Sequence, residues 1–142
     1  MLKKDLTSIR LTRVWDDMST LRNYHLSDYQ EITCWFKDRE MNAPRMSDLP
    51  SNGKIVPGVA VGFLLQTDTR CAVIDFLITN KHAKQIDRGR AIDAIARGLI
   101  LKAKSLGFER VRCDSQIDTV KKKALSLGFK NSGEHTVFCK EI

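Results

Sequence analysis

The sequence lacks a long apolar run, lacks any Cys-x-x-Cys spacing and carries few aromatic residues, and each absence closes off a class of protein. Without an extended apolar segment there is nothing to span a bilayer. Met1-Leu2-Lys3-Lys4-Asp5 leads into alternating residues rather than the apolar core of a signal peptide. A cytoplasmic chain with no membrane attachment is the expectation. The cysteines, Cys34, Cys71, Cys113 and Cys139, are scattered, and only 3 histidines are available. Neither a disulfide framework nor a structural zinc site fits that pattern, so no metal is expected. Aromatics make up 7% of the chain, while 24 Lys and Arg against 17 Asp and Glu give a formal charge of +7. That balance suits an anionic partner, but the basic residues are dispersed, which argues against nucleic acid. No internal repeat or low-complexity tract is present.

What remains is an ordinary core: 142 residues, 42% hydrophobic and 29% charged, enough for one domain spanning 1–142. Thr7 to Trp15 alternates as a strand does. Asp16 and Asp17 offer a cap to a helix running through Met18-Ser19-Thr20-Leu21-Arg22, and Asp28 offers one to a second helix carrying Ile32, Trp35 and Phe36 up to Glu40. All three prolines fall between Met41 and Pro57, with Gly53 and a Ser/Asn/Asp cluster, so a long irregular connection is expected there, of the kind that is often a functional lid. Two adjacent strands follow, Val59 to Leu65 and Cys71 to Thr79. The second is apolar on both faces except at Asp75, as in a central strand covered on both sides. Ala91, Ile92, Ile95, Ala96, Leu99, Ile100 and Ala103 then mark a long amphipathic helix ending at Gly107. Glu109 to Cys113 reads as a strand, Asp118 to Leu127 as a short helix stopped by Gly128, and His135 to Lys140 as a closing strand.

The order strand, basic loop, Arg88-Gly89-Arg90-Ala91, helix, Leu-Gly-Phe, strand, helix, Leu-Gly-Phe resembles the GNAT superfamily of N-acetyltransferases over about Val61 to Cys139. The resemblance implies an α/β (α+β) fold with a mixed, mostly antiparallel central sheet flanked by helices. It also implies acetyl-coenzyme A as cosubstrate, held by a loop of the form Arg/Gln-x-x-Gly-x-Gly/Ala. Ile86-Asp87-Arg88-Gly89-Arg90-Ala91 is the best match, with Ile86 where Arg or Gln is usual. On this reading the helix opens at Arg88. Ile78 and Thr79 at the end of the central strand, together with Arg88, Gly89, Arg90 and Ala91, are the implied cofactor contacts. Helix N-termini and glycine suit phosphate for elementary reasons, since free amides and the positive dipole end face the ligand and no Cβ obstructs it. A second register, Lys84-Gln85-Ile86-Asp87-Arg88-Gly89, puts the Asp87 carboxylate beside the phosphates and is disfavoured by repulsion.

For chemistry, Asp75 lies near the glutamate with which such enzymes commonly deprotonate the acceptor amine. Burial there would raise its pKa, as a general base requires. The alternative is a carboxylate bonded to neighbouring backbone or to an arginine. The tyrosine that usually protonates the departing thiolate is missing: Ala124 stands four residues before Gly128, and Ile117 stands near the usual asparagine. Ser126 and Cys113 are the substitutes on offer. Tyr24, His25 and Tyr29 fall where the resemblance places the acceptor groove, and Lys121-Lys122-Lys123 reads as a solvated helix face.

Two functions follow from the resemblance. One is an acetyl-coenzyme-A-dependent N-acetyltransferase acting by direct attack of an amine, on a small molecule or a protein. The other is a GNAT-like scaffold without chemistry that binds a partner chain or forms a homo-oligomer, for instance a structural protein of a bacteriophage virion.

Overall fold

The computed structural model describes residues 20–115, 118–134 and 136–142. The strand expected over Thr7 to Trp15 lies outside that range. At the centre, the two apolar runs pair as an antiparallel hairpin of β3 (Ala60–Leu65) and β4 (Cys71–Thr79), with β1 (Arg22–Asn23) and β2 (Asn52–Val56) added antiparallel on one side. On the other side β5 (Arg110–Cys113) pairs parallel to β4, so the sheet order is β1-β2-β3-β4-β5. A parallel pair needs a crossover, here α2 (Gln85–Ser105). Among the described residues the remaining α-helices are α1 (Tyr29–Asp38) and α3 (Asp118–Ser126).

Alternation along β3 separates two cores. Ala60 and Leu64 join Ile92, Ile95 and Leu99 of α2 on one face, whereas Val61 and Phe63 join Ile32, Trp35 and Phe36 of α1 on the other. Gly62 sits under α2, where an added Cβ would come within 2.9 Å of both Ile95 Cγ2 and Leu77 Cδ1. The helix therefore lies flush on the sheet because that position is bare. Gly107, at φ +90, ends α2 in the left-handed conformation expected of a helix stop.

Three expectations are corrected. The 41–57 connection is not irregular throughout, because it contains β2. Gly53, Ile55 and Val56 are its buried positions, and a Cβ on Gly53 would meet Phe63 Cε1 at 2.7 Å. Glycine fills an inward position that an apolar side chain would otherwise have marked, which hides the period of two. Arg22, expected at the end of a helix, is in strand β1, while Met18 and Ser19 lie outside the described residues. Residues 136–140 form no strand: Val137 and Phe138 are exposed, and the segment is tied by Arg45 to Glu141 at 3.1 Å. Alternation can mark a strand-like face, but a strand also needs a neighbour to supply its ladder.

Asp28 fixes the entry to α1. Its carboxylate accepts two bonds from Arg22, at 2.7 and 2.8 Å, and one from the His25 amide at 2.9 Å. The Arg22 guanidinium, aided by the His25 amide and opposed by burial, holds the Asp28 carboxyl below its ordinary value. A folded-state pKa below the unfolded one adds stability above the usual carboxylate range, and that stability is lost as pH falls through the depressed value. Asp28→Asn is thus expected to be less stable than the parent at pH 7, with the difference shrinking below about pH 4. Urea unfolding at pH 7 and pH 3 measures this, and an equal difference at both would exclude it.

Candidate active site

The site is a fork in the sheet. β4 pairs with β5 only from Cys71 to Ile74, the last partners being Ile74 and Cys113, so Asp75 to Thr79 have β3 on one side and, among the described residues, no strand on the other. At the fork β4 also bulges. Phe63 pairs with Asp75 and Val61 with Ile78, so Phe76 and Leu77 both oppose Gly62. Phe76 takes φ +51, a conformation that phenylalanine adopts at a cost of about 1–3 kcal/mol. The extra residue reverses the facing: Leu77 joins the α2 core and Ile78 the α1 core, with Phe76 packed at the edge of the latter. A bulge of this kind ends one ladder and aims the following backbone elsewhere.

Asp75 stands at the apex of the fork, half-buried, and its Oδ1 accepts the Phe76 amide at 2.7 Å. The bond to neighbouring backbone is therefore present. Its charge reaches Cys113, whose thiol is pushed up to about 11 by burial first, then by Asp114 and Asp75. A thiol near 11 holds its proton more tightly than a free thiol near 8.5, so it is poorly matched to protonating a departing thiolate. Ser126 is exposed at the end of α3 and donates its hydroxyl proton to the Lys123 carbonyl at 2.6 Å. The structure does not gather it with Asp75. Ala124 lines an apolar crevice with Ile74, Leu77 and Cys113, so the side of α3 that faces the fork carries a methyl group there and no hydroxyl. Ile117 lies outside the described residues.

Beyond the fork, β4 leads into α2, and here the expected helix start is corrected. The helix begins at Gln85, three residues early, with Lys84 as its N-cap. The Arg88 amide already bonds to the Lys84 carbonyl at 3.0 Å, so the amides from Arg88 to Ala91 are inside the helix. Residues Ala83-Lys84-Gln85 contain no proline or glycine to delay the first turn, which accounts for the earlier start. The amides without intrahelical acceptors are those of Gln85, Ile86 and Asp87, and the lysine at the N-cap supplies no capping bond. Ala91 is buried in the core, Arg90 is exposed, and Gly89 is half-buried with nothing within 4 Å of where a Cβ would stand. Space over that turn is open rather than plugged.

Ile78 and Thr79 are fully buried, backbone included, so neither is open to a ligand as expected of a cofactor contact. Thr79 is held by a residue that no motif signals: Arg39, just past α1, donates from Nη2 to Thr79 Oγ1 at 2.7 Å and from Nε to the Thr79 carbonyl at 3.2 Å. Of the residues expected near an acceptor, Tyr24 packs edge-to-face on Phe63 at 4.9 Å, and its buried hydroxyl has no partner. Tyr29 donates its hydroxyl to the Pro44 carbonyl at 2.9 Å, fixing the 41–51 segment, and His25 is exposed. Lys121 and Lys122 are exposed as expected, while Lys123 pairs with Asp93 of α2 at 3.0 Å. A shallow groove lined by Thr69, Arg70, Cys71, Glu109 and Arg110 lies at the opposite end of β4 and shares no residue with the fork. No helix among the described residues is long and apolar enough to cross a membrane.

No family model matches the sequence, and no curated protein matches it. Solved structures do match. An acetyltransferase from Trypanosoma brucei superposes with a TM-score of 0.60 at 16% identity, covering 84% of this chain and 98% of that one. A transcriptional regulator from Bacillus halodurans gives 0.59 at 15% identity over 84% and 98% of the two chains. Glucosamine-6-phosphate N-acetyltransferase from Arabidopsis thaliana gives 0.57 at 12% identity over 85% and 97%. With its mixed sheet, the fork between β4 and β5, and α2 springing from the open end of β4, the chain has the GNAT fold.

Proposed function

We propose that this protein is an acetyl-coenzyme-A-dependent N-acetyltransferase that acts by direct attack of an amine. The observation that supports this most is the conjunction of the open fork with an uncapped helix N-terminus at its end. These features fit the coenzyme. On the unpaired side of β4 the half-buried Asp75 and Phe76 are the positions where an amide-bearing arm could meet the strand. The amides of Gln85, Ile86 and Asp87 offer an anion site for the diphosphate, and bare Gly89 allows close approach. Arg88 adds charge, and Arg90, exposed two residues on, adds to the positive field. Asp87, within the same turn, opposes binding, so the arginines have its charge to overcome. When bound, the coenzyme supplies the acyl group as a thioester.

Asp75 is the group to receive the amine proton, directly or through water, since it is the carboxylate on β4 where the fork opens. The Phe76 amide orients its Oδ1 and leaves Oδ2 for that proton. Ser126, spent on the Lys123 carbonyl, is not carried forward as the acid. The acceptor is an amine-bearing small molecule or protein. The test is thermal denaturation with coenzyme A and acetyl-coenzyme A. A ligand at about 100 times its Kd stabilises the fold by about 2.7 kcal/mol, and no shift at millimolar ligand would refute the proposal. Acetyl transfer to an amine panel, lost in Asp75→Asn with coenzyme binding retained, assigns the base.

One observation favours the second reading. Ala124 faces the fork and lines the crevice beside Cys113, so α3 offers no hydroxyl there. A scaffold without chemistry, cytoplasmic or part of a phage virion, would bind no coenzyme and would co-purify or self-associate with a partner chain. The same thermal experiment, with light scattering, separates the two.

A further inference from the structure

We propose that Arg39 and Arg88 together clamp a phosphate-type oxyanion over the end of β4, joining the α1 side of the sheet to the α2 side. Arg88 is placed against three ordinary preferences at once. It stands in the opening turns of α2, where the helix dipole disfavours a cation. It occupies the inward side of the helix, three and four residues before the buried Ala91 and Ile92, and its Nε is buried without a hydrogen-bond partner. Burial already disfavours the charge on Arg39, and the positive charge of Arg88 adds to that. Among the described residues no carboxylate forms an ion pair with either side chain. Position at the end of α1 accounts for a cation at Arg39 but for nothing about Arg88. Two half-buried arginines that oppose each other's charge, with no carboxylate paired to either among the described residues, are an arrangement that an anion would relieve. The planar Arg donors match phosphate oxygens. Nε and Nη2 of Arg39 are spent on Thr79, which fixes its plane over the strand end.

The oxyanion has two possible sources, the diphosphate of the coenzyme and an anionic group on the acceptor. Assignment to the coenzyme rests on the function proposed above, but the clamp itself does not. Calorimetry on the full chain and on Arg39→Met and Arg88→Met, which keep the aliphatic stems, tests it with four probes: coenzyme A against pantetheine, and phosphoethanolamine against ethanolamine. Inorganic pyrophosphate in a thermal shift assay reports the clamp without either organic part. The expected result is that pyrophosphate stabilises the parent and that each variant loses the effect. At least one phosphorylated probe should bind more tightly than its phosphate-free counterpart and weaken at least tenfold in each variant. If pyrophosphate and coenzyme A act equally on parent and variants, the clamp is wrong and the transferase reading survives. If pyrophosphate protection disappears in the variants while the parent ignores coenzyme A, the clamp stands and the transferase reading falls. A parent that ignores pyrophosphate and both phosphorylated probes overturns the clamp outright.

Discussion

Phe63→Ala is expected to cost about 3–5 kcal/mol of unfolding free energy, the range for removing a fully buried aromatic ring. The ring is inaccessible to solvent, meets Tyr24 edge-to-face at 4.9 Å and Phe76 at 6.3 Å, and faces Gly53 closely enough that no side chain fits between them. Truncation therefore opens a cavity and removes two aromatic pairs, each adding about 0.5–1.5 kcal/mol beyond area. It also withdraws support from Phe76, whose left-handed backbone makes the bulge that sets Asp75 at the fork. Against a total stability of about 5–15 kcal/mol, the loss should be visible as a large fall in urea midpoint. A cost under about 1 kcal/mol would mean that β2, β3 and β4 do not converge on this ring.

Gly89→Glu is expected to weaken coenzyme A binding by roughly 100-fold while leaving the fold intact. Nothing lies within 4 Å of the position a Cβ would take, so the side chain enters open space at little steric cost. That space is the approach to the first turn of α2. A carboxylate about 5 Å from a phosphate charge, at an effective dielectric of about 20, repels it by about 3 kcal/mol, which is the stated loss. Gly89→Ala is the control. As a glycine replaced inside a helix, it should gain about 0.5–1 kcal/mol of stability. Calorimetry and thermal unfolding on the pair measure both. Unchanged affinity in the glutamate variant would place the diphosphate elsewhere.

Much of the architecture could be read from residue order because it rests on strong periodicities. β4 has the bounds expected from its apolar run, and α2 follows the spacing of Ala91 to Ala103 and stops at Gly107. β2 was illegible because glycine occupies one of its inward positions, so burial there is achieved by the neighbours Phe63 and Tyr24. The start of α2 was misplaced because Gly89 looks like a turn residue, whereas glycine is tolerated inside a helix when packing holds the rest. Arg39 was invisible for a different reason. Its role depends on which strand end passes beneath the end of α1, a fact of tertiary contact that no local pattern encodes. Asp75 was legible as the polar interruption of an apolar run, although it is half-buried and its bond to the Phe76 amide depends on the bulge.

The short overlap of β4 with β5 bears on how cargo enters and leaves. The ladder joining those two strands runs only from Cys71 to Ile74 against Arg110 to Cys113, with the Glu109 and Arg110 amides bonded to the Arg70 carbonyl at its far end. Past that point α3 is held by side chains and not by rungs of the ladder: Val120 is buried in the α2 core and Lys123 pairs with Asp93 at 3.0 Å, so the width of the mouth is set by packing between α3 and α2.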